Sequence, residues 1–257
     1  MGMRKVWLAG ALALGLTAQA AKAADLELLV EDDAAPWSHA DGTGYTNDVV
    51  KAAYAAVGMP VRLVVVPYAR CRSAVLSGNA AGCFNMAWDD EFKGKVTFAE
   101  APLYSNYADM FENRVRPLGA KSAAALPKGK MIGVVNGYEY PDAVNAVRKQ
   151  GQIRFKELRS EATALTMLSV GRLDGAVIMT NDIEPLTKKI KDSGDRGDIV
   201  HAFRAGELKV YIGFSDSHPD GPAARAKFNE GYRQIQANGT LERLRLQWFP
   251  PSLAERR

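Results

Sequence analysis

The chain has 257 residues, 47% of them hydrophobic and 24% charged, with 33 Lys and Arg against 29 Asp and Glu. The apolar share is enough for one large core or two smaller ones and too high for a disordered chain. Arg4, Lys5 and Lys22 account for most of the small basic excess, so nothing in the charge balance points to a nucleic-acid partner.

In chain order, the first element is a leader. Arg4 and Lys5 precede a mostly apolar run from Val6 to Ala18, and Ala21-Lys22-Ala23 supplies a small-residue cleavage site before Ala24. This is the pattern of a secretory signal peptide over residues 1–23. The run is too short to cross a bilayer comfortably, and no other segment approaches the roughly 20 apolar residues of a span. The mature chain is therefore expected to be exported to the periplasm, with no membrane span. In that oxidising compartment Cys71 and Cys83, the only cysteines, are read as a disulfide contributing about 3 kcal/mol through loop closure. No His or further Cys offers a metal alternative, and two buried free thiols are the other reading.

Leu26 to Val30 reads as a strand ending at Glu31-Asp32-Asp33, and Ala34 to Gly44 as a loop with Pro36 and Trp37. Asn47 is placed to cap a helix whose apolar face includes Val49, Val50, Ala53, Tyr54 and Val57, stopped by Gly58. The Val-rich run Val61 to Val66 predicts a buried parallel strand. A helix over Ala69 to Leu76 ends at Ser77-Gly78-Asn79, and Cys83 to Ala87 is a short strand. The order is β-α-β-α-β, which predicts an α/β unit with a parallel sheet.

The same order then restarts. Met131 to Val135 is a strand, a helix begins near Pro141, and Arg154 to Leu158 is a second strand. Ser160 is placed to cap a helix burying Ala164, Leu165 and Leu168, and Gly171 to Gly175 leads into a strand over Ala176 to Met179. The tail has a strand over Leu208 to Phe214, a helix over Gly221 to Ala237 with Ala224, Phe228, Tyr232 and Ile235 on one face, and a last helix over Leu241 to Trp248.

Several segments together carry a resemblance. They are Gly44-Tyr45 after the first loop, Ser77-Gly78-Asn79, the stretch Glu91-Phe-Lys-Gly-Lys-Val-Thr-Phe-Ala-Glu-Ala-Pro-Leu-Tyr104, Gly171 to Asp174, and the Asn238-Gly-Thr…Trp-Phe249 ending. In their order and spacing they resemble the periplasmic solute-binding proteins of the polar amino-acid transporter family, family 3. The resemblance implies an α/β two-lobe clamshell (type II), each lobe a mainly parallel sheet with flanking helices, joined by two hinge strands near Leu103–Ala108 and Arg204–Lys209. Residues 24–106 and 208–257 would form lobe 1, and residues 107–207 lobe 2. It also implies a small-molecule ligand in the interdomain cleft, an inner-membrane ABC permease as partner, a monomer, and no cofactor.

Family members that bind amino acids hold the ligand carboxylate with an Arg and its ammonium with an acidic residue of the second lobe. The positions similar to these carry Phe92 and Met179, so an ordinary α-amino acid is not the expected ligand. Lys93, Asn181 or Asp182 would supply charge or polarity if the correspondence is off by one or two residues. The remaining candidate ligand-binding residues are Trp37, Tyr68, Arg70, Asn85, Trp88, Tyr138, Glu139 and Tyr140, which follow strand ends that feed the cleft in open α/β sheets. Each aromatic has packing in a lobe core as its alternative, and Arg70 and Arg72 have solvated surface as theirs. Glu31 and Asp32 could accept a ligand cation or cap the following loop, and Lys188, Lys189 and Lys191 read as a solvated helix face.

Enzyme chemistry has little support. His39, His201 and His218 lack metal-ligand spacing, and there is no nucleophile elbow or phosphate loop. Two alternatives to a transport binding protein stand: a periplasmic accessory protein on the same fold, and an enzyme similar to the cyclohexadienyl dehydratases, with Glu139 as the titrating group.

Overall fold

The computed structural model describes residues 26–183, 190 and 197–250. The expected leader, residues 1–23, and the basic cluster Lys188, Lys189 and Lys191 lie outside the described residues. The first half builds strand β1 (Leu26–Glu31), a short ribbon of β2 (Asp33–Ala34) with β3 (Ser38–His39), helix α1 (Tyr45–Ala56), β4 (Val61–Val66), α2 (Tyr68–Leu76) and β5 (Gly82–Ala87). Then come β6 (Val96–Phe98), β7 (Tyr104–Asn113), β8 (Met131–Val135), α3 (Asp142–Gln150), β9 (Arg154–Leu158), α4 (Glu161–Ser169) and β10 (Gly175–Thr180). The chain closes with β11 (Ile199–Ser215), α5 (Gly221–Ala237) and α6 (Thr240–Trp248).

Nine strands form one sheet in the order β4-β1-β5-β11-β7-β10-β8-β9, with β6 paired to β11. At each end the first strand of a β-α-β-α-β unit lies between the other two, all parallel: β1 between β4 and β5, β8 between β9 and β10. The two units thus share one topology, and they form two lobes with separate cores. One core gathers Leu28, Val30, Tyr54, Phe84, Phe214 and Phe228. The other gathers Met110, Ile132, Val134, Val144 and Val177.

Between them run β7 and β11, antiparallel from Ile199↔Asn113 to Val210↔Tyr104. The expected hinge segments fall inside this pair. Asp109 is buried where the strands cross, and it accepts from Thr180 Oγ1 at 2.6 Å and Arg204 Nε at 3.0 Å. Gly206 is needed here: a Cβ would come within 2.6 Å of Pro141 Cβ.

Most elements lie where their periodicity placed them. Ser160 caps α4 by accepting from Thr163 N at 3.2 Å, and Ala164, Leu165 and Leu168 are its buried face. The tail returns to lobe 1, where Tyr54 Oη donates to Ala224 O at 3.0 Å and Trp248 Nε1 to Asp48 Oδ2 at 2.8 Å.

Four readings are corrected. Asn47 is not a cap: α1 starts two residues earlier, and Asn47 Nδ2 donates instead to the Gly42 and Thr43 carbonyls. Pro141 is the N-cap of α3 and not a residue of its first turn. The Val-rich β4 is parallel as expected but stands at the sheet edge and is only partly buried. The strand expected to start at Leu208 begins at Ile199, because pairing with β7 sustains a polar stretch that has no clean alternation.

Candidate functional site

The C-terminal ends of β1, β5, β8 and β10 converge on a small cavity between the lobes. Lobe 1 contributes Glu31, Asp33, Trp37, Tyr68, Asn85 and Ala87; lobe 2 contributes Tyr138, Glu139, Glu161, Met179 and Asn181. Tyr104, Asn106, Leu208 and Val210 of the crossing strands form the wall between them. About 50 Å³ is open to water-sized spheres, room for a few waters or a few heavy atoms.

Backbone geometry aims two of these side chains. Trp37 is 3% exposed and stacks on Tyr104, with ring centroids 3.9 Å apart and planes 13° apart. Its carbonyl accepts from Thr46 N at 3.0 Å, and Gly44 makes that approach possible. Gly44 sits at φ 143°, and a Cβ there would collide with the Trp37 carbonyl oxygen. Asn85 has φ 69°, at a register shift where β11 passes from Tyr211↔Met86 to Ile212↔Phe84. This bulge turns the Asn85 side chain into the cavity. Its Oδ1 lies 3.0 Å from Thr46 Oγ1, whose one proton also faces Trp37 O at 2.8 Å. Among the described residues Asn85 Nδ2 has no partner, and neither has Asn106 Oδ1.

Two carboxyl groups are buried here. Glu139 reaches from lobe 2 into lobe 1, where Tyr68 Oη donates to it at 2.5 Å, Arg72 Nε at 3.1 Å and Ala87 N at 3.3 Å. Burial outweighs these donors and pushes its pKa up to about 7. Glu31 accepts from Tyr138 Oη across the lobes. Burial holds its carboxyl well above the usual range against that bond, helped by the nearby Glu161, Asp33 and Glu139. These contacts hold the lobes together.

Of the sequence candidates, Trp37, Tyr68, Asn85, Tyr138, Glu139 and Met179 meet at the cavity. Arg70 does not: it is exposed, and Arg72 is the arginine that turns toward the cleft. Because α2 starts at Tyr68, Tyr68 and Arg72 are four apart and share a face. Trp88 is 55% exposed and lines an outer groove with Tyr140, Pro141 and Tyr211. Phe92 is wholly buried, edge-on to Phe98 and beneath the Arg72 guanidinium at 4.8 Å. Tyr140 packs in the lobe 2 core, its hydroxyl oxygen accepting from Val135 N at 2.8 Å. Glu31 lines the cavity; Asp32 does not, its neighbour Asp33 taking that place.

Tyr104, Asn106 and Glu161 were not anticipated. The first two stand two apart on one strand face, a signal that becomes readable only once Tyr104–Asn113 is seen as a strand. Cys71 and Cys83 form a disulfide that ties α2 to β5 beside Arg72.

The sequence profile of the bacterial extracellular solute-binding proteins, family 3, matches residues 26–251. No curated protein matches the chain at a significant level. An ancestral arginine-binding protein bound to arginine superposes with a TM-score of 0.69 at 20% identity, over 87% of this chain and 98% of that one. The ancestral amino acid-binding protein AncCDT-1, a precursor of cyclohexadienyl dehydratase, gives 0.66 at 18% identity over 88% and 95%. An amino acid ABC transporter substrate-binding protein, AbpA from Streptococcus pneumoniae, bound to L-arginine, gives 0.65 at 17% identity over 88% and 94%. At these identities the likeness is one of fold.

Proposed function

Because the chain belongs to the bacterial extracellular solute-binding proteins, family 3, we propose that it is a periplasmic substrate-binding protein that encloses a small solute for an inner-membrane ABC permease. The observation that carries this reading is the cavity itself, walled by both lobes and by the two crossing strands. A solute there touches both lobes only when they are closed, so it shifts the hinge equilibrium toward the closed form. The exported mature chain and the lobe limits at 24–106, 107–207 and 208–257 belong to the same proposal.

The ligand is proposed not to be an ordinary α-amino acid. Phe92, at the position similar to the carboxylate-binding Arg, is sealed in a core, and Met179 faces the cavity where the family's acidic residue is expected. A zwitterion would have no free cation for its carboxylate among the described residues of the cavity wall, because Arg72 is engaged by Glu139 and by Glu91 at 2.8 Å.

A thermal-shift screen of residues 24–257 against amino acids, amines, organic acids and sugars tests this. A ligand at a hundredfold over its Kd stabilises by about 2.7 kcal/mol. A saturable hit weakened by Trp37→Ala supports the reading. No hit in any class overturns it in favour of the accessory-protein role, and a strong hit for an ordinary amino acid overturns the ligand class.

One observation favours a second reading. Glu139, with its pKa pushed up to about 7 beside Arg72, can give and take a proton near neutral pH, as a dehydratase would need. Both of its oxygens already accept from lobe 1 donors, which favours binding over catalysis. Aromatisation of a cyclohexadienol, followed by ultraviolet absorbance and lost in Glu139→Gln, would establish the enzyme.

A further inference from the structure

Resting on the reading of the cleft as a solute site, we propose that the solute is a small organic ammonium ion that carries a hydroxyl or carbonyl acceptor and lacks a carboxylate. Its ammonium group would lie between Glu31 and Asn106 against the Trp37–Tyr104 pair, and its acceptor at Asn85.

The charge of the walls sets the sign of the ligand. Glu31, Asp33, Glu139 and Glu161 line the cavity, and no Lys, Arg or His is among the described residues that do. Glu139 has Arg72 for a counter-charge. Glu31, 4% exposed, has only the Tyr138 hydroxyl and no cation within ion-pair distance among the described residues. A buried carboxyl without a counter-charge gains a partner from a positive guest and offers none to an anion. Burial, with Glu161, Asp33 and Glu139 on the lining and Tyr138 as the one donor, keeps its pKa well raised, the state that an arriving cation reverses.

The amides set the rest of the ligand. Asn85 is 7% exposed, faces the cavity, and its Nδ2 donor has no partner among the described residues. A buried amide donor without a partner is uncommon in a folded protein, and an acceptor on the guest would satisfy it. Asn106 is half-buried, but its Oδ1 is shielded from solvent in the same cavity and has no partner among the described residues; it is an acceptor suited to an ammonium N–H. The indole and phenol rings of Trp37 and Tyr104 supply the aromatic surface that a cation prefers. A donor at Asn85 and an acceptor at Asn106 call for one acceptor and one donor on the same small molecule.

The experiment is calorimetric titration of residues 24–257 with ethanolamine and glycinamide, with ethylammonium as a cation lacking the acceptor, glycolate as an anion and ethylene glycol as a neutral control. Expected are saturable binding of ethanolamine or glycinamide, at least tenfold weaker ethylammonium, and no glycolate or ethylene glycol binding. Glu31→Gln should weaken the ammonium ligands thirtyfold or more, and Trp88→Ala should leave them unchanged. Asn85→Gly, which tolerates the positive φ, should erase the advantage over ethylammonium. Binding of glycolate or ethylene glycol without the cations overturns the inference and leaves the cleft reading standing. Cation binding indifferent to both Glu31→Gln and Asn85→Gly also overturns it. If none of these binds, and no compound in the wider screen does, both readings fall.

Discussion

Glu139 should make the protein less stable as pH rises, and the effect can be sized. In the unfolded chain its carboxyl titrates near the ordinary 4.5, and in the fold its pKa is pushed up to about 7. Below about pH 4.5 it is protonated in both states. From there to about pH 7 only the unfolded chain loses the proton, so the free energy of unfolding falls by about 1.4 kcal/mol per pH unit. The whole interval is worth about 3 kcal/mol, fully present below the unfolded pKa and lost as pH rises through the folded one. Glu139→Gln keeps the shape and the acceptor for Arg72 but cannot ionise. Urea unfolding of both proteins at pH 5, 6, 7 and 8 should show the wild type losing about 2.5 kcal/mol relative to the variant across the series, the rest being lost already below pH 5. Glu31 is displaced in the same direction and is present in both proteins; Glu139 is the smallest of the causes of its shift, so the Glu31 contribution largely cancels in the difference. Parallel curves, a constant gap at every pH, would refute the claim that burial outweighs Tyr68 and Arg72 at this carboxyl.

Three other perturbations test separate parts of the structure. Arg72→Ala leaves Glu139 buried with no cation among the described residues, a loss of about 3–5 kcal/mol from the closed form; small-angle scattering should show a larger radius of gyration as the lobes part, and an unchanged radius and melting temperature would refute the role of the Arg72–Glu139 pair in holding the lobes together. Replacing Cys71 and Cys83 together by Ala should remove about 3 kcal/mol of loop-closure stabilisation, seen as a fall in melting temperature that reducing agent does not deepen. Gly44→Ala combines a positive φ with a collision at the Trp37 carbonyl and should cost about 2 kcal/mol or more, with a changed tryptophan emission reporting the displaced ring.

Much of the architecture was legible in the residue order. Apolar periodicity places α5 over Gly221–Ala237, and Ser160 announces its own cap, because these are local effects decided within one or two helical turns. The two β-α-β-α-β units were readable in the same way, while the crossing segments near Leu103–Ala108 and Arg204–Lys209 came only from the family resemblance. The full length of β7 could not be read from periodicity, since Tyr104–Asn113 carries Ser105, Asn106, Asp109 and Glu112. Its strand state comes from neighbours on both sides, β10 and β11. At the site, six candidates met at the cavity while Arg70, Trp88, Phe92 and Tyr140 did not. A strand end brings a residue to the cleft, but the next turn decides whether its side chain points in, out or into the core.

What the sequence determined by itself is the family, the order of elements and a cleft with aromatic and polar candidates, because periodicity, turn residues and motif spacing are properties of short stretches of chain. Only the tertiary structure decided that Glu31 and Glu139 are buried together, that Arg72 and not Arg70 faces them, and that Asn85 turns inward on a bulge. Those facts depend on side-chain direction and on desolvation by residues far away in the chain, and neither exists until both lobes are folded and closed against one another.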